Sequence, residues 1–199
     1  MILIGASGHS KVIIDILRLN NIELDNLVDA NPSIKELQGI PVLLEDSFEF
    51  LDQEAIIAIG SNAIRKRLAL KHHLKYVKAI HPKAVLDSSV QIGLGTVVMA
   101  SATINSDTKI GDHCIINTSA SIDHDCSLGD FVHISPNATL CGGVQIGEGT
   151  QVGANAAVIP NITIGKWVTI GAGAVVISNI PDFAVVVGNP ARIIKYNND

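Results

Sequence analysis

Several features are missing from this chain, and each absence closes off a class of function. No run of Lys and Arg is longer than Arg65, Lys66, Arg67, and the formal charge is −5, so the basic footprint of a nucleic-acid-binding protein is lacking. That short run reads as the solvated face of a helix. The opening MILIGASG is apolar for only four positions before glycine interrupts it, and no later stretch approaches the length of a membrane span. A soluble, unexported protein of the cytoplasm is expected, with neither nucleic acid nor membrane as partner. The three cysteines, Cys114, Cys126 and Cys141, have no CxxC spacing, and they read as structural thiols rather than disulfides or zinc ligands.

What is present is a period. From Ile80 an aliphatic residue recurs every sixth position without a miss, through Leu86, Ile92 and Val98 and on to Ile170 and Val176, seventeen hexads in register. Four places beyond each comes a small or β-branched residue, such as Ala84, Val90, Thr96 and Ala102. Both sets must point inward. A period of six is neither that of a helix nor a plain alternation, and it is the signature of a parallel β-helix. Directly after the aliphatic position, Gly93, Gly111, Gly129, Gly147 and Gly165 recur in every third hexad, so three hexads make one triangular coil. Asn105, Asn117, Asp87, Asp123, Gly153 and Gly171 take the same place at the other corners, and residues of these types tolerate the positive φ expected at a sharp corner. Five to six coils follow, stacked at roughly 4.8 Å if neighbours pair as parallel strands.

The segment before Ile80 alternates strands with helices instead. Strand MILIGA leads into a helix with an apolar stripe of Val12, Ile13, Ile16 and Leu17; strand 24–30, a turn at Asn31 and Pro32, helix 46–51, strand 55–60 and helix 62–73 follow. This predicts a small parallel α/β domain, whose ligands bind at the carboxyl ends of the strands, at Gly5 to His9, Asp29 to Asn31 and Gly60 to Asn62. The GASGHS turn has only Gly5 and Gly8 and lacks the third glycine of the dinucleotide fingerprint. Asp29 follows Gly8 at about the distance in sequence where an acid would hold a ribose hydroxyl. A segment this short cannot hold two mononucleotide halves, so a single nucleotide or nucleotide-linked sugar fits better. The competing reading is a purely structural turn.

On the prism, His124 stands at a corner between Asp123 and Asp125, and three hexads on, in the same place on the next coil, comes Gly142. The space beside His124 is then open and a backbone N–H is within reach. A base and an oxyanion donor so placed are what acyl transfer needs. Spacing alone equally allows an exposed corner histidine and a turn glycine. The intervals between His113, His124 and His133 are unlike the HxxxxH pattern of zinc-binding prisms. No metal is expected, and His113 reads as a surface residue.

The GASGHSK start, AIGSNAIRKR (58–67), IHPKA (80–84), the NTSASIDHDCSLGDFVHISPNATLCGGVQIG core (117–147) and the VVGNPARI tail (186–193) resemble the bacterial sugar O- and N-acetyltransferases. That family includes sialic acid O-acetyltransferases and UDP-4-amino-sugar N-acetyltransferases of the bacillosamine type. The resemblance implies a homotrimer of left-handed parallel β-helices, each preceded by a Rossmann-like α/β domain that holds a nucleotide-sugar acceptor, with acetyl-CoA between neighbouring prisms. It divides the chain at 1–79, 80–180 and a tail, 181–199, that closes over the cofactor. It makes His124 the general base, supported by Asp125. It places Gly5, Ser7, Gly8, His9, Asp29, Asn62, Arg65 and Asn117 at the acceptor, His133 and the Gly142 amide at the thioester, and Ala154 and Ala172 along the pantetheine arm. Two positions depart from relatives: Asp125 where some have Glu, and Ala30 where some have a second acid. The activity implied is N-acetylation of a UDP-linked 4-amino-4,6-dideoxy sugar. Alternatives are O-acetylation of sialic acid or a related glycan sugar, and a non-catalytic nucleotide-sugar-binding scaffold.

Overall fold

The computed structural model describes residues 1–51 and 53–197. The N-terminal domain is one sheet flanked by helices. Strand β1 (Ile2–Ile4) feeds α1 (Gly8–Leu19), which returns to β2 (Asn26–Asp29). A short hairpin of β3 (Glu36–Leu37) and β4 (Ile40–Leu44) extends that edge, and β5 (Glu54–Ile57), α2 (Asn62–Lys71) and β6 (Lys75–Tyr76) build the other. The sheet order is β3-β4-β2-β1-β5-β6. The chain leaves β1 and β5 in opposite directions across the sheet, so right-handed crossovers put α1 and α2 on opposite faces. Side chains divide accordingly. Leu3, Leu27 and Ile56 pack with Ile13, Ile14, Ile16 and Leu17 of α1, whereas Ile2, Ile4, Val28 and Ile57 pack with Leu68 of α2. The loops after β1 and β5 therefore diverge and leave a crevice at a topological switch point, where α/β sheets bind ligands.

Three local expectations are corrected. Ile14, not Val12, belongs to the buried stripe of α1; Val12 is 40% exposed. Helix 46–51 is only a 3₁₀ turn, Glu45–Ser47, because Phe48 and Phe50 are drawn into the α2-side core, their rings meeting edge to face at 5.0 Å. Helix α2 ends at Lys71, and His72 turns to Glu45, Nε2 to Oε1 at 3.0 Å.

The second half is a three-sided parallel β-helix with two-residue strands. Each strand pairs with its counterpart one coil further on, as Val97 with Ile115 and Ile115 with His133. Face one carries strands 79–80, 97–98, 115–116, 133–134, 151–152 and 169–170; face two runs from 85–86 to 175–176; face three runs from 91–92 to 163–164. The hexad aliphatics and their small partners fill the interior, from Val98 and Ala102 to Ala174 and Val176. Cys114 and Cys126 are buried among them, and burial pushes the Cys114 thiol up to about 12.

The corners differ from expectation in one respect. Positive φ recurs at every sixth residue from Gly95 to Gly173, three places after the inward aliphatic rather than directly after it. The glycines that follow the aliphatic serve close stacking instead. A Cβ on Gly129 would stand 2.8 Å from the Glu148 nitrogen of the next coil, a separation no real Cβ adopts. The tail extends the prism: strand Ala184–Val187 joins face one and pairs with the returning strand Arg192–Tyr196, and Ala184, Val186 and Ala191 enter the prism core.

The N-terminal domain docks on face one, where Ala79, Val97, Met99 and Ile115 share one core with α1. Arg65 rivets it to the corner between faces three and one. Its Nε donates to the His113 carbonyl at 2.7 Å and one terminal nitrogen to that of Phe131 at 2.9 Å, while further bonds reach Ile59 O and Asn62 Oδ1 at 2.9 Å each. Asn62 Nδ2 continues the ladder to Gly149 O at 2.9 Å. The expected solvated face is thus wrong for Arg65, which is 1% exposed. His113 is likewise buried, stacked on Phe131 at 5.2 Å with Tyr76 against its edge.

Candidate active site

His124 stands exposed on the corner between faces two and three, the vertex opposite face one. The corner backbone presents it. Asp123 Oδ1 accepts the His124 N–H at 2.9 Å and is itself held by Asn105 Nδ2 from the previous coil at 2.9 Å. Asp125, at φ 59, turns its carboxylate back so that Oδ2 lies 2.7 Å from His124 Nδ1. That bond, with the Asp123 charge behind it, raises the imidazole above its ordinary pKa. Nδ1–H then points at carboxylate, leaving Nε2 with its lone pair outward. Gly142 lies directly against this nitrogen, since a Cβ there would be 2.8 Å from Nε2. Gly143 N–H and Gly142 C=O are used in the coil ladder, bonding His124 O at 2.9 Å and Asn161 N at 3.0 Å. With no side chain at Gly142, nothing from the next coil displaces the imidazole from this place.

A second set of candidates gathers at the crevice of the N-terminal domain. Gly5, at φ +113, allows the chain to pass Ile59, whose Cδ1 would be 2.6 Å from a Cβ. Ser7 and Gly8 are exposed at the start of α1, and nothing lies within 4 Å of where a Gly8 Cβ would stand. Asp29 ties the strand ends together, accepting from Ala6 N at 2.7 Å and Asn31 N at 2.8 Å. Burial, with the Arg65 charge, depresses His9 to about 4. The same causes, with His9 added, take His133 to about 3. His133 projects from face one beside Asn117, Nε2 to Nδ2 at 3.1 Å.

The structure therefore brings together His124, Asp125 and Gly142 on one corner and His9, Asn117 and His133 at the docked domain. It does not bring the two groups together. Ala154 and Ala172 stand at a third place, the corner between faces one and two. Asn62 and Arg65 bond carbonyls across the domain junction and form the rivet. A cavity of about 840 Å³ between α2 and the upper coils is lined by Lys66, Trp167 and Phe183 among others and lies away from His124. Asn105 and Asp123, which orient His124, were read from the sequence as corner residues only; their shared place in the three-hexad repeat was the signal for their bond. Among the described residues no group of three or more His, Cys, Asp or Glu side chains is arranged to hold a metal, and no helix is long and apolar enough to cross a membrane.

Comparison with known proteins identifies both halves. Residues 1–71 match the PglD N-terminal domain, and residues 107–142 and 143–178 match the bacterial transferase hexapeptide repeats. The structure is similar to that of a perosamine N-acetyltransferase from Caulobacter crescentus in complex with CoA and GDP-perosamine: TM-score 0.90, 40% identity, 100% of this chain and 96% of that one. It is also similar to the acetyltransferase domain of PglB from Neisseria gonorrhoeae in complex with acetyl coenzyme A, with TM-score 0.88, 36% identity, and coverage of 97% and 98%. UDP-N-acetylbacillosamine N-acetyltransferase of Bacillus subtilis is 42% identical over 108 residues, 49% of this chain and 50% of that protein; the match thus spans half the length of this curated relative. With both modules matched and a near full-length relative at 40% identity, the chain belongs to the hexapeptide-repeat sugar acetyltransferases that carry a PglD N-terminal domain.

Proposed function

We propose that this chain transfers the acetyl group of acetyl-CoA to the amine of a nucleotide-linked 4-amino-4,6-dideoxy sugar, with His124 as general base. The observation that carries the reading is the exposed imidazole, backed by a carboxylate at 2.7 Å and set against the Gly142 amide, on a prism of this family. In the proposed step the amine nitrogen attacks the thioester carbonyl as His124 Nε2 takes its proton. The Gly142 N–H stabilises the oxyanion, and the intermediate collapses with expulsion of the CoA thiolate, which takes up the proton. No covalent enzyme intermediate is needed. A positioned base contributes on the order of 10² to 10⁴ in rate, and an oxyanion donor about 3 to 4 kcal/mol. The nucleotide would lie in the switch-point crevice between Gly5–Gly8 and Gly60–Ser61. Acetyl-CoA would lie along the prism edge, beside the described part of the tail, 181–197; residues 198 and 199 of the expected tail lie outside the described residues.

One chain cannot assemble this site, because His124 and the docked domain occupy opposite sides of a triangular prism. The acceptor-binding face of one copy must meet the His124 corner of another, a heterologous contact that closes into a ring. A homotrimer satisfies that geometry on a three-sided prism. It also lets Gly142 of one copy and Ala154 and Ala172 of the next border the same cofactor. We place the reaction in the cytoplasm.

The test is thiol release from acetyl-CoA with UDP-4-amino-4,6-dideoxy-N-acetylhexosamine, GDP-perosamine and free sialic acid as separate acceptors. Release with an amino sugar, and an N-acetylated product by mass, supports the proposal. Release with sialic acid alone moves the assignment to O-acetylation, and acetyl-CoA binding without release from any acceptor leaves a non-catalytic scaffold.

A further inference from the structure

His133 is the first residue of strand His133–Ile134 and points from face one toward the docked domain. Its protonation can be deduced from its neighbours. The Thr118 backbone N–H donates to Asn117 Oδ1 at 2.8 Å. A backbone N–H is always a donor, so the atom it meets must be the amide oxygen, and the Asn117 orientation has no alternative. The other end of that amide, Nδ2, is then a donor, and it faces His133 Nε2 at 3.1 Å. Nε2 must therefore accept. An imidazole that accepts at Nε2 is neutral and carries its hydrogen on Nδ1. Neutrality agrees with the surroundings, where burial and the Arg65 charge both oppose protonation.

The result is a buried donor with nothing to bond. Among the described residues His133 Nδ1 has no partner, and neither has His9 Nε2 at the first turn of α1. The two rings are close enough for the charge of one to bear on the other. A buried N–H without an acceptor is costly, and such groups ordinarily bond something.

We propose that Asn117 is a positioning residue that locks His133 in its neutral Nδ1–H form, and that this N–H, beside the His9 ring, donates to an oxygen of the nucleotide-sugar acceptor. His133 is thereby assigned to the acceptor, whereas the family resemblance put it at the cofactor thioester. Asn117 then acts through His133 and not by touching substrate. The oxygen belongs either to the diphosphate or to the sugar ring substituents, which present the same acceptor chemistry to the N–H. The assignment rests on the proposed acetyl transfer for its acceptor, but the tautomer does not.

The experiment has two arms. Histidine-selective ¹⁵N NMR of the full-length protein without substrate reads the tautomer directly: His133, assigned by its loss in His133→Gln, shows an unprotonated Nε2 and a protonated Nδ1. Asn117→Asp is nearly isosteric and still accepts from Thr118, but it offers a carboxylate to Nε2 and moves the hydrogen there. Asn117→Ala removes the lock without forcing the other form. The KM for the amino-sugar acceptor should rise about tenfold in Asn117→Ala and further in Asn117→Asp, with the KM for acetyl-CoA unchanged. Calorimetry with UDP and GDP then separates the two sources. If His133→Gln weakens a nucleoside diphosphate that the native protein binds, the oxygen is a phosphate oxygen; if that affinity is unchanged while the acceptor KM rises, it is a sugar oxygen. A protonated Nε2 in the native protein, or a rise in the KM for acetyl-CoA in place of that for the acceptor, overturns the proposal. Absence of turnover in the native protein would count against the acetyl transfer alone, since the NMR and calorimetry need none.

Discussion

His124 owes its orientation to three side chains from two coils: Asn105 holds Asp123, Asp123 holds the His124 backbone, and Asp125 holds the ring. In our account His124→Ala lowers kcat by about 10² to 10⁴ while circular dichroism stays native, because the side chain is exposed and supports no packing. The pH dependence follows from the Asp125 bond. A base must be neutral to act, so the acid limb of kcat/KM rises as the imidazole loses its proton, and Asp125 moves that limb to higher pH. Asp125→Asn should shift the limb toward lower pH, and an unmoved limb would show that the carboxylate does not support His124. The histidine at this corner was legible from sequence because the three-hexad repeat places it over Gly142. Arg65 was misread as part of a solvated face because sequence cannot tell an exposed helical arginine from one caged by carbonyls of a second domain. The chain neighbours of Arg65 and Asn62 gave no hint of the Phe131 and Gly149 carbonyls, 66 and 87 residues away.

At the scale of the coil, two glycines of the same prism separate stability from chemistry. Gly142→Ala places a methyl against Cε1 and Nε2 of His124 at 2.7 and 2.8 Å. The exposed ring can swing aside, so the fold survives and activity falls. Gly129→Ala places a methyl against the Glu148 backbone at 2.8 Å, which has no such freedom. Overpacking of this kind costs about 1 to 3 kcal/mol, so Gly129→Ala should lower the Tm and leave the KM values of the folded fraction unchanged. The period of six gave the faces and the inward columns correctly, since burial acts on every coil alike. It did not locate the positive-φ corners, because Ser, Asp, Asn, Phe and Trp all occupy them and no residue type flags the position. The β3–β4 hairpin escaped for a similar reason: its turn residues, Gln38 and Gly39, both at positive φ, sit among short, weakly patterned strands.

For the whole molecule, the docking of the two domains sets both stability and function. Arg65→Met would leave the carbonyls of His113 and Phe131 without their donor, at about 1 to 3 kcal/mol each, and urea unfolding should show that loss. His9 and His133 titrate at about 4 and 3 in the fold against 6.5 in the unfolded chain. The unfolded state therefore binds more protons below pH 6.5, and the stability these groups contribute is complete above that pH and lost as pH falls toward 4. Each should remove roughly 2 kcal/mol between pH 7.5 and pH 5, and His133→Gln should abolish its share in urea titrations at the two pH values. That a second subunit completes the site is our proposal; the repeat alone did not suggest it, and its ground is the placing of the docked domain and the His124 corner on opposite sides of the prism. The most direct test of that claim mixes two impaired variants, His124→Ala and a variant with His9 and His133 both replaced by Gln, after partial denaturation and reassembly. The account predicts that thiol release at low amino-sugar concentration, slow in either variant alone, rises in the mixture, where an intact His124 corner meets an intact acceptor face. A mixture no faster than its components would contradict it.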